Sequence, residues 1–338
     1  MTLSGPSAAY LDDSVPSRMR LVYAISENGL ARPRLRATGR PQVFSCASLV
    51  PSLVTTSCIT VEDVQPTFKG VPVLVTGAGR GIGKRLAIGF ATQGARVALL
   101  ARSKAELDLC HLEIEHGGGN ALRIRSDVGD FEQVAAAVER MRVHFGASVQ
   151  VLVCAAAMLG PVGPFAESSP KHWDELIRTN VGGVLNACRA VLPTMVERRS
   201  GKIILIAGGG ATPARPNFAV YSATKTALVR FAESLAEELA EHNIQVNCLN
   251  PGGTYTHMTD QILAAGERAG WREIEAARQI RLTGGAAASK QIELALFLAS
   301  TLSNHITGRF ISVEDDWKKL RDSSVSPDLF RLRRTQRG

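Results

Sequence analysis

Val71-Pro72-Val73-Leu74-Val75 is an apolar run of strand type. Thr76-Gly77-Ala78-Gly79-Arg80-Gly81-Ile82-Gly83 follows it, and Lys84 to Gln93 then reads as a helix. Strand, glycine-rich turn and helix in that order form the context a dinucleotide fingerprint requires. Glycines let the backbone approach a pyrophosphate with no Cβ in the way. The helix behind them offers unpaired N–H groups and the positive end of a dipole. The stretch therefore reads as the cofactor-binding opening of an α/β domain that begins near Lys69.

The pattern continues outward. Arg96 to Leu100 is a second strand, and Ala101-Arg102-Ser103 follows. An acid at the end of this strand would hydrogen-bond an adenosine ribose hydroxyl and repel a 2′-phosphate. Ala101 holds that place, and Arg102 beside it, with Arg80 in the glycine loop, suits a phosphate fork. NADP(H) is the expected cofactor, with NAD(H) as the alternative. Further strands are predicted at Ala121–Ile124, Val149–Cys154, Lys202–Ile206, Ile244–Leu249 and Arg309–Val313. Helices are predicted at Lys104–His116, Phe131–Phe145, Trp173–Val196 and from Thr226 to Ala240. Such alternation demands a parallel sheet covered on both faces. The expectation is a single doubly wound Rossmann-type domain over 69–316 with seven parallel strands. Ligands should gather at strand carboxyl ends, marked here by Thr76, Cys154, Ala207 and Asn250.

Composition excludes several other classes. The 338 residues are 45% hydrophobic and 21% charged, as in globular proteins. No apolar run reaches about 18 residues, so no membrane span is expected. Six cysteines (46, 58, 110, 154, 188 and 248) form no Cys-x-x-Cys pair, so neither a metal site nor a disulfide framework is suggested. Reduced thiols imply a cytoplasmic setting. The net charge is +8, but seven Lys/Arg against two Asp from Lys318 onward supply a surplus of five. That distribution describes a basic, solvated tail over 317–338 rather than a nucleic-acid face. Residues 1–66 carry scattered Pro, Ser and Thr and read as a disordered extension. Four Arg without an acid between Gly29 and Thr60 leave an organelle transit segment as the alternative, which Asp12 and Asp13 fit poorly.

Tyr221-Ser222-Ala223-Thr224-Lys225 heads an Ala-rich helix. Positions four apart lie on one helix face, so a phenol and an ammonium stand side by side. The ammonium's field is expected to lower the phenol's pKa from about 10, making Tyr221 a candidate general acid/base.

Taken together, these motifs resemble the short-chain dehydrogenases/reductases from about Lys69 to Val313. Thr76-Gly77-x-x-x-Gly81-x-Gly83 resembles that family's cofactor loop, Asp127-Val128 its adenine contact, and Tyr221 with Lys225 its catalytic pair. Asn180, in Thr179-Asn180-Val181-Gly182, falls where the family has an Asn that anchors a water. Pro251-Gly252 followed by Thr256 resembles its nicotinamide-facing turn. The resemblance implies that Tyr221 gives or takes the proton on a small alcohol or carbonyl substrate. Lys225 would hold the nicotinamide ribose, and Asn180 would link Lys225 to solvent. It also implies a homodimer or homotetramer assembled through the helices flanking the fifth strand, and substrate contacts between Thr254 and Lys290.

Two departures stand out. Cys154-Ala155-Ala156-Ala157 replaces the usual Asn-Asn-Ala-Gly. The catalytic Ser that normally precedes the Tyr by thirteen residues is Gly208, within Ala207-Gly208-Gly209-Gly210-Ala211-Thr212. With Asn217-Phe218, this loop resembles a subgroup that carries Gly-Gly-Gly-Ala-Thr in the serine's place. Thr212, the backbone N–H groups of 208–210, or Tyr221 alone are the possible compensations. The competing reading is a dinucleotide-binding sensor or scaffold with little turnover.

Overall fold

The computed structural model describes residues 67–321, 326 and 328–333; the expected extension at 1–66 lies outside them. Seven strands run in chain order: β1 (Pro72–Thr76), β2 (Arg96–Ala101), β3 (Asn120–Arg125), β4 (Val151–Cys154), β5 (Gly201–Ile206), β6 (Ile244–Asn250) and β7 (Phe310–Ser312). All pairings are parallel, in the order β3-β2-β1-β4-β5-β6-β7. The order reverses at β1, which sits between β2 and β4 and places the glycine turn at the switch point, where α/β sheets bind ligands.

Strand residues alternate between two cores. Val73, Val75, Val97, Leu99, Val153 and Ile204 face helices α1 (Gly81–Thr92), α2 (Lys104–His116) and α9 (Ala288–Ala299). Leu74, Ala98, Leu100, Leu152, Leu205 and Val246 face α3 (Phe131–Phe145), α5 (Gly183–Glu197) and α6 (Ala219–Glu238). Burial on both sides is why the central strands are continuous apolar runs. Local signals set the helix ends. Ser103 accepts the Glu106 N–H at the start of α2, and Asp130 accepts the Gln133 N–H at the start of α3. Gly146 closes α3 in the left-handed conformation.

A third apolar cluster lies above the carboxyl ends of the strands. It gathers Leu159, Leu176, Phe218, Tyr221, Ile262, Ala269 and Ala277 from α4 (Pro170–Ile177), α6, α7 (His257–Ala264), α8 (Trp271–Thr283) and their connections.

The stretch expected to be helical over Trp173–Val196 is so, as α4 and α5 joined by a π turn at Arg178–Gly182. Asn180 lies within that turn, and such turns concentrate at functional sites. The tail after 316 is not simply solvated. Trp317 is 4% exposed and stacks on Phe297 at 5.2 Å, and Leu320 is buried beside it. Further on, Arg331 pairs with Glu237 at 3.1 Å, and Arg333 with Glu233 at 3.1 Å. These basic residues answer acids on α6, which is why charge counting alone misjudged them. The outward N–H groups of β7 are also filled. Phe310 donates to the Phe330 carbonyl at 2.8 Å and Ser312 to Asp315 Oδ2 at 2.7 Å.

Candidate active site

The glycine turn and α1 build the floor of the site. Thr76 ends β1, and its Oγ1 accepts the N–H groups of Ala155 and Ala156, both at 3.2 Å. Thr76 therefore braces β1 to β4, where Cys154-Ala155-Ala156 offers no side-chain amide to do so. A Cβ at Gly83 would run into the Gly77 carbonyl oxygen, so the close approach of helix to turn requires glycine. Ala78 donates to the Leu100 carbonyl at 3.2 Å, tying the turn to β2. At the N-terminus of α1, Arg80 makes no side-chain cap, and the first turn holds no acid. The N–H groups of Gly81, Ile82 and Gly83 form no backbone hydrogen bond among the described residues. An uncapped, acid-free helix end behind a glycine turn fits the pyrophosphate of a nicotinamide dinucleotide.

Around this floor stand the other expected contacts. Arg80 pairs with Glu106 at 3.2 Å, and Arg102 with Glu175 of α4 at 3.8 Å; both arginines are more than half exposed. Asp127 accepts the Gly129 N–H at 2.9 Å and faces Arg178 Nη1 at 3.3 Å. Val128 is buried, and its carbonyl accepts from Asn186 at 2.9 Å. On the far side, Thr256 caps α7 in a reciprocal box with Thr259, and its methyl faces Gly81 across the mouth. The Pro251 carbonyl accepts from the fully buried Gln291 at 3.0 Å, and Gly252 donates to Asn250 Oδ1 at 3.2 Å.

Tyr221 and Lys225 lie in the first two turns of α6, both buried. Lys225 Nζ is 5.7 Å from the centre of the Tyr221 ring and donates to the Ile206 carbonyl, at the end of β5, at 2.9 Å. The electrostatics correct the sequence expectation. Burial is the dominant influence on Tyr221 and raises its pKa; Arg215 opposes it and lowers it. Burial also pulls Lys225 down to about 8. Loss of water disfavours the charged form of both groups, the phenolate of Tyr221 and the ammonium of Lys225.

Asn180 is fully buried. Its Oδ1 accepts the Met158 N–H at 2.9 Å, and its Nδ2 donates to the Met158 carbonyl at 3.0 Å and to Thr224 Oγ1 at 3.2 Å. Thr224 in turn donates to the Tyr221 carbonyl at 2.7 Å. Asn180 thus clamps the loop after β4 to the turn of α6 that carries Tyr221.

The loop from Ala207 to Phe218 is where the structure adds most. Gly208 has φ +92°, and a Cβ there would meet only Pro251 Cδ, at 3.7 Å. The N–H groups of Gly208, Gly209 and Gly210 make no backbone hydrogen bond among the described residues. Thr212 stands on the exposed part of the loop, and no hydrogen bond joins it to Tyr221. Four residues beside the site carried no signal in the sequence. Arg85 of α1 bonds Thr254 Oγ1 and the Tyr255 carbonyl, and Gln291 holds Pro251. Arg215 lies against Phe218 and Tyr221, and Glu273 of α8 holds Arg215. Each is a polar residue in a loop or on a helix whose spacing gives no reason to look inward.

Comparison with known proteins agrees with this geometry. The family model described as short chain dehydrogenase matches residues 72–266. Gluconate 5-dehydrogenase of Gluconobacter oxydans is 34% identical over 252 residues, which is 73% of this chain and 94% of that one. An actinorhodin polyketide ketoreductase solved with NADPH superposes with a TM-score of 0.67 at 29% identity, over 72% of this chain and 95% of that one. An NAD+-bound xylitol dehydrogenase gives 0.68 at 25% identity, over 72% and 98%.

Proposed function

The chain belongs to the short-chain dehydrogenases/reductases, a family of NAD(P)-dependent oxidoreductases, and from that premise we propose how its own residues act. It interconverts a small alcohol and the matching carbonyl, with NADP(H) as the preferred partner. When bound, the nicotinamide supplies or accepts the hydride. Tyr221 gives the substrate oxygen its proton in reduction and removes it in oxidation. The observation that carries this reading is the buried Tyr221–Lys225 pair held at the carboxyl end of β5, in a sheet whose β1 ends in an uncapped glycine turn.

Other residues support the pair. Lys225, held by the Ile206 carbonyl, keeps a proton donor at the end of β5. Asn180 fixes the turn of α6 that aims Tyr221. The free N–H groups of Gly208–Gly210 polarise the substrate oxygen where the family's serine hydroxyl is missing, as oriented backbone amides do elsewhere. Arg80 and Arg102 receive a 2′-phosphate by exchanging their exposed pairings with Glu106 and Glu175. The apolar cluster of Leu159, Phe218 and Ile262 shields the reacting carbon from water.

The test is Tyr221→Phe. Reduction of a panel of ketones should fall by at least about 10³-fold while NADPH still quenches Trp fluorescence with the parent's affinity. Turnover at the parent's rate sinks the assignment.

A further inference from the structure

Arg215 occupies a position that no motif assigns. It lies on the loop between β5 and α6, in the same stretch as Gly208. Its guanidinium carbon is 4.2 Å from the centre of the Phe218 ring and 5.6 Å from that of Tyr221. Its Nε and Nη2 donate to Glu273 Oε1 and Oε2 at 2.9 and 2.6 Å, a two-toothed fork to α8. The two side chains are only 17% and 25% exposed. A guanidinium that stacks on aromatics with little water around it keeps more of its field than a surface charge does.

The charges facing Tyr221 are few. Lys225 approaches from its own helix, Arg215 from the loop, and Glu273 stands behind Arg215 on α8. The rest of the cluster, Leu159, Leu176, Phe218, Ile262, Ala269 and Ala277, is apolar. Arg215 is therefore the positive charge that the β5–α6 connection, which also carries Gly208, brings to the Tyr221 ring.

We infer that Arg215 is a positioning residue for the proton on Tyr221, and that Glu273 on α8 sets how much of its charge the phenol feels. The inference rests on Tyr221 being the acid/base proposed above. Arg215 favours the phenolate. Glu273, bound to the same guanidinium, partly cancels it. The fork would thereby couple the position of α8 to the ease with which Tyr221 releases its proton.

Arg215→Gln and Glu273→Gln break the same fork, so a purely mechanical latch predicts like effects. A field predicts opposite ones. The readout is the ionisation of Tyr221 in the full-length chain labelled with 13C at the tyrosine Cζ. The chain has four tyrosines, and Tyr221→Phe identifies the signal. Arg215→Gln should move the titration midpoint up by about one pH unit and Glu273→Gln should move it down by about one. Arg215→Lys, which keeps charge without the fork, should stay within about 0.3 unit of the parent. Shifts in the same direction, or no shift in either variant, overturn the inference. Turnover separates the two readings. If Tyr221→Phe stays active, the acid assignment fails whatever Arg215 does. If it is dead and the opposite shifts are absent, only the role of Arg215 falls.

Discussion

Placing a serine at 208 is the change that the family pattern invites, and the structure predicts that it harms the protein. Gly208 has φ +92°, a conformation that L residues rarely adopt. Space is not the obstacle, since an added Cβ meets only Pro251 Cδ at 3.7 Å. The cost is backbone strain of about 1–3 kcal/mol. A stiffer unfolded chain offsets about 0.4–1 kcal/mol of it. The net loss is about 1–2 kcal/mol, which in a domain of this size lowers Tm by about 2–8 °C. Relaxing that strain should reorient the N–H groups of 208–210 on which the proposed polarisation of the substrate oxygen depends. Gly208→Ser and Gly208→Ala should therefore both lose turnover, and Ser should gain no more than about threefold over Ala. The assays are a thermal melt of each variant and NADPH-dependent ketone reduction. Unchanged Tm in both variants refutes the strain argument. A serine variant tenfold faster than the parent shows instead that the missing hydroxyl limits the native protein.

Three more outcomes follow from the same structure. NADPH should bind at least about tenfold tighter than NADH, and Arg102→Ala should weaken only NADPH; equal affinities in a calorimetric titration refute the phosphate fork. Trp317→Ala removes a ring stacked on Phe297 and should cost about 3–5 kcal/mol in urea unfolding, whereas a loss under about 1 would mean that the segment after β7 is not part of the packed domain. Burial pulls Lys202 down to about 7, where it donates to Asn304 Oδ1 at 2.8 Å. Above that pH the folded chain has shed a proton that the unfolded chain keeps until about 10.4. The unfolded state binds more protons in that window, so stability should rise with pH from about 7. Above about 8.5 the opposite contribution sets in from Cys110, whose thiol burial pushes up to about 11 and which keeps its proton longer when folded. Lys225, pulled down to about 8, adds a rise of the same sign from about that pH. Melts between about pH 6.5 and 7.5 should therefore show the rise in the parent and little of it in Lys202→Met.

The fold was legible because its signals are periodic and local. Val73-Leu74-Val75, the glycines from 77 to 83 and the alternation that follows each leave one workable arrangement, a parallel sheet with β1 at the switch point. The order of Tyr221, Lys225 and Asn180 along the chain likewise pointed to one site. Less legible was everything that depends on which group finds which across the fold. The phenol's pKa was misjudged because spacing shows the neighbouring ammonium and hides the burial that dominates. Arg215 meets Glu273 across 58 residues, and Arg85 meets Thr254 across 169. No helix face or strand alternation announces such partners. The conformation of Gly208 was hidden as well, since a glycine's identity permits a positive φ without requiring it.

The bonds along β7 have a consequence for how this sheet ends. A lone edge strand offers its unused donors to any passing strand and is where sheets grow into aggregates. Here Phe310 and Ser312 spend theirs on Phe330 and Asp315 of the same chain. At the other margin β3 carries Arg123 and Arg125, charges that resist a flat neighbour. The seven strands are thus a closed count. Removing the residues from 326 onward would reopen the Phe310 donor, and shortened forms of this protein should be stickier than the whole.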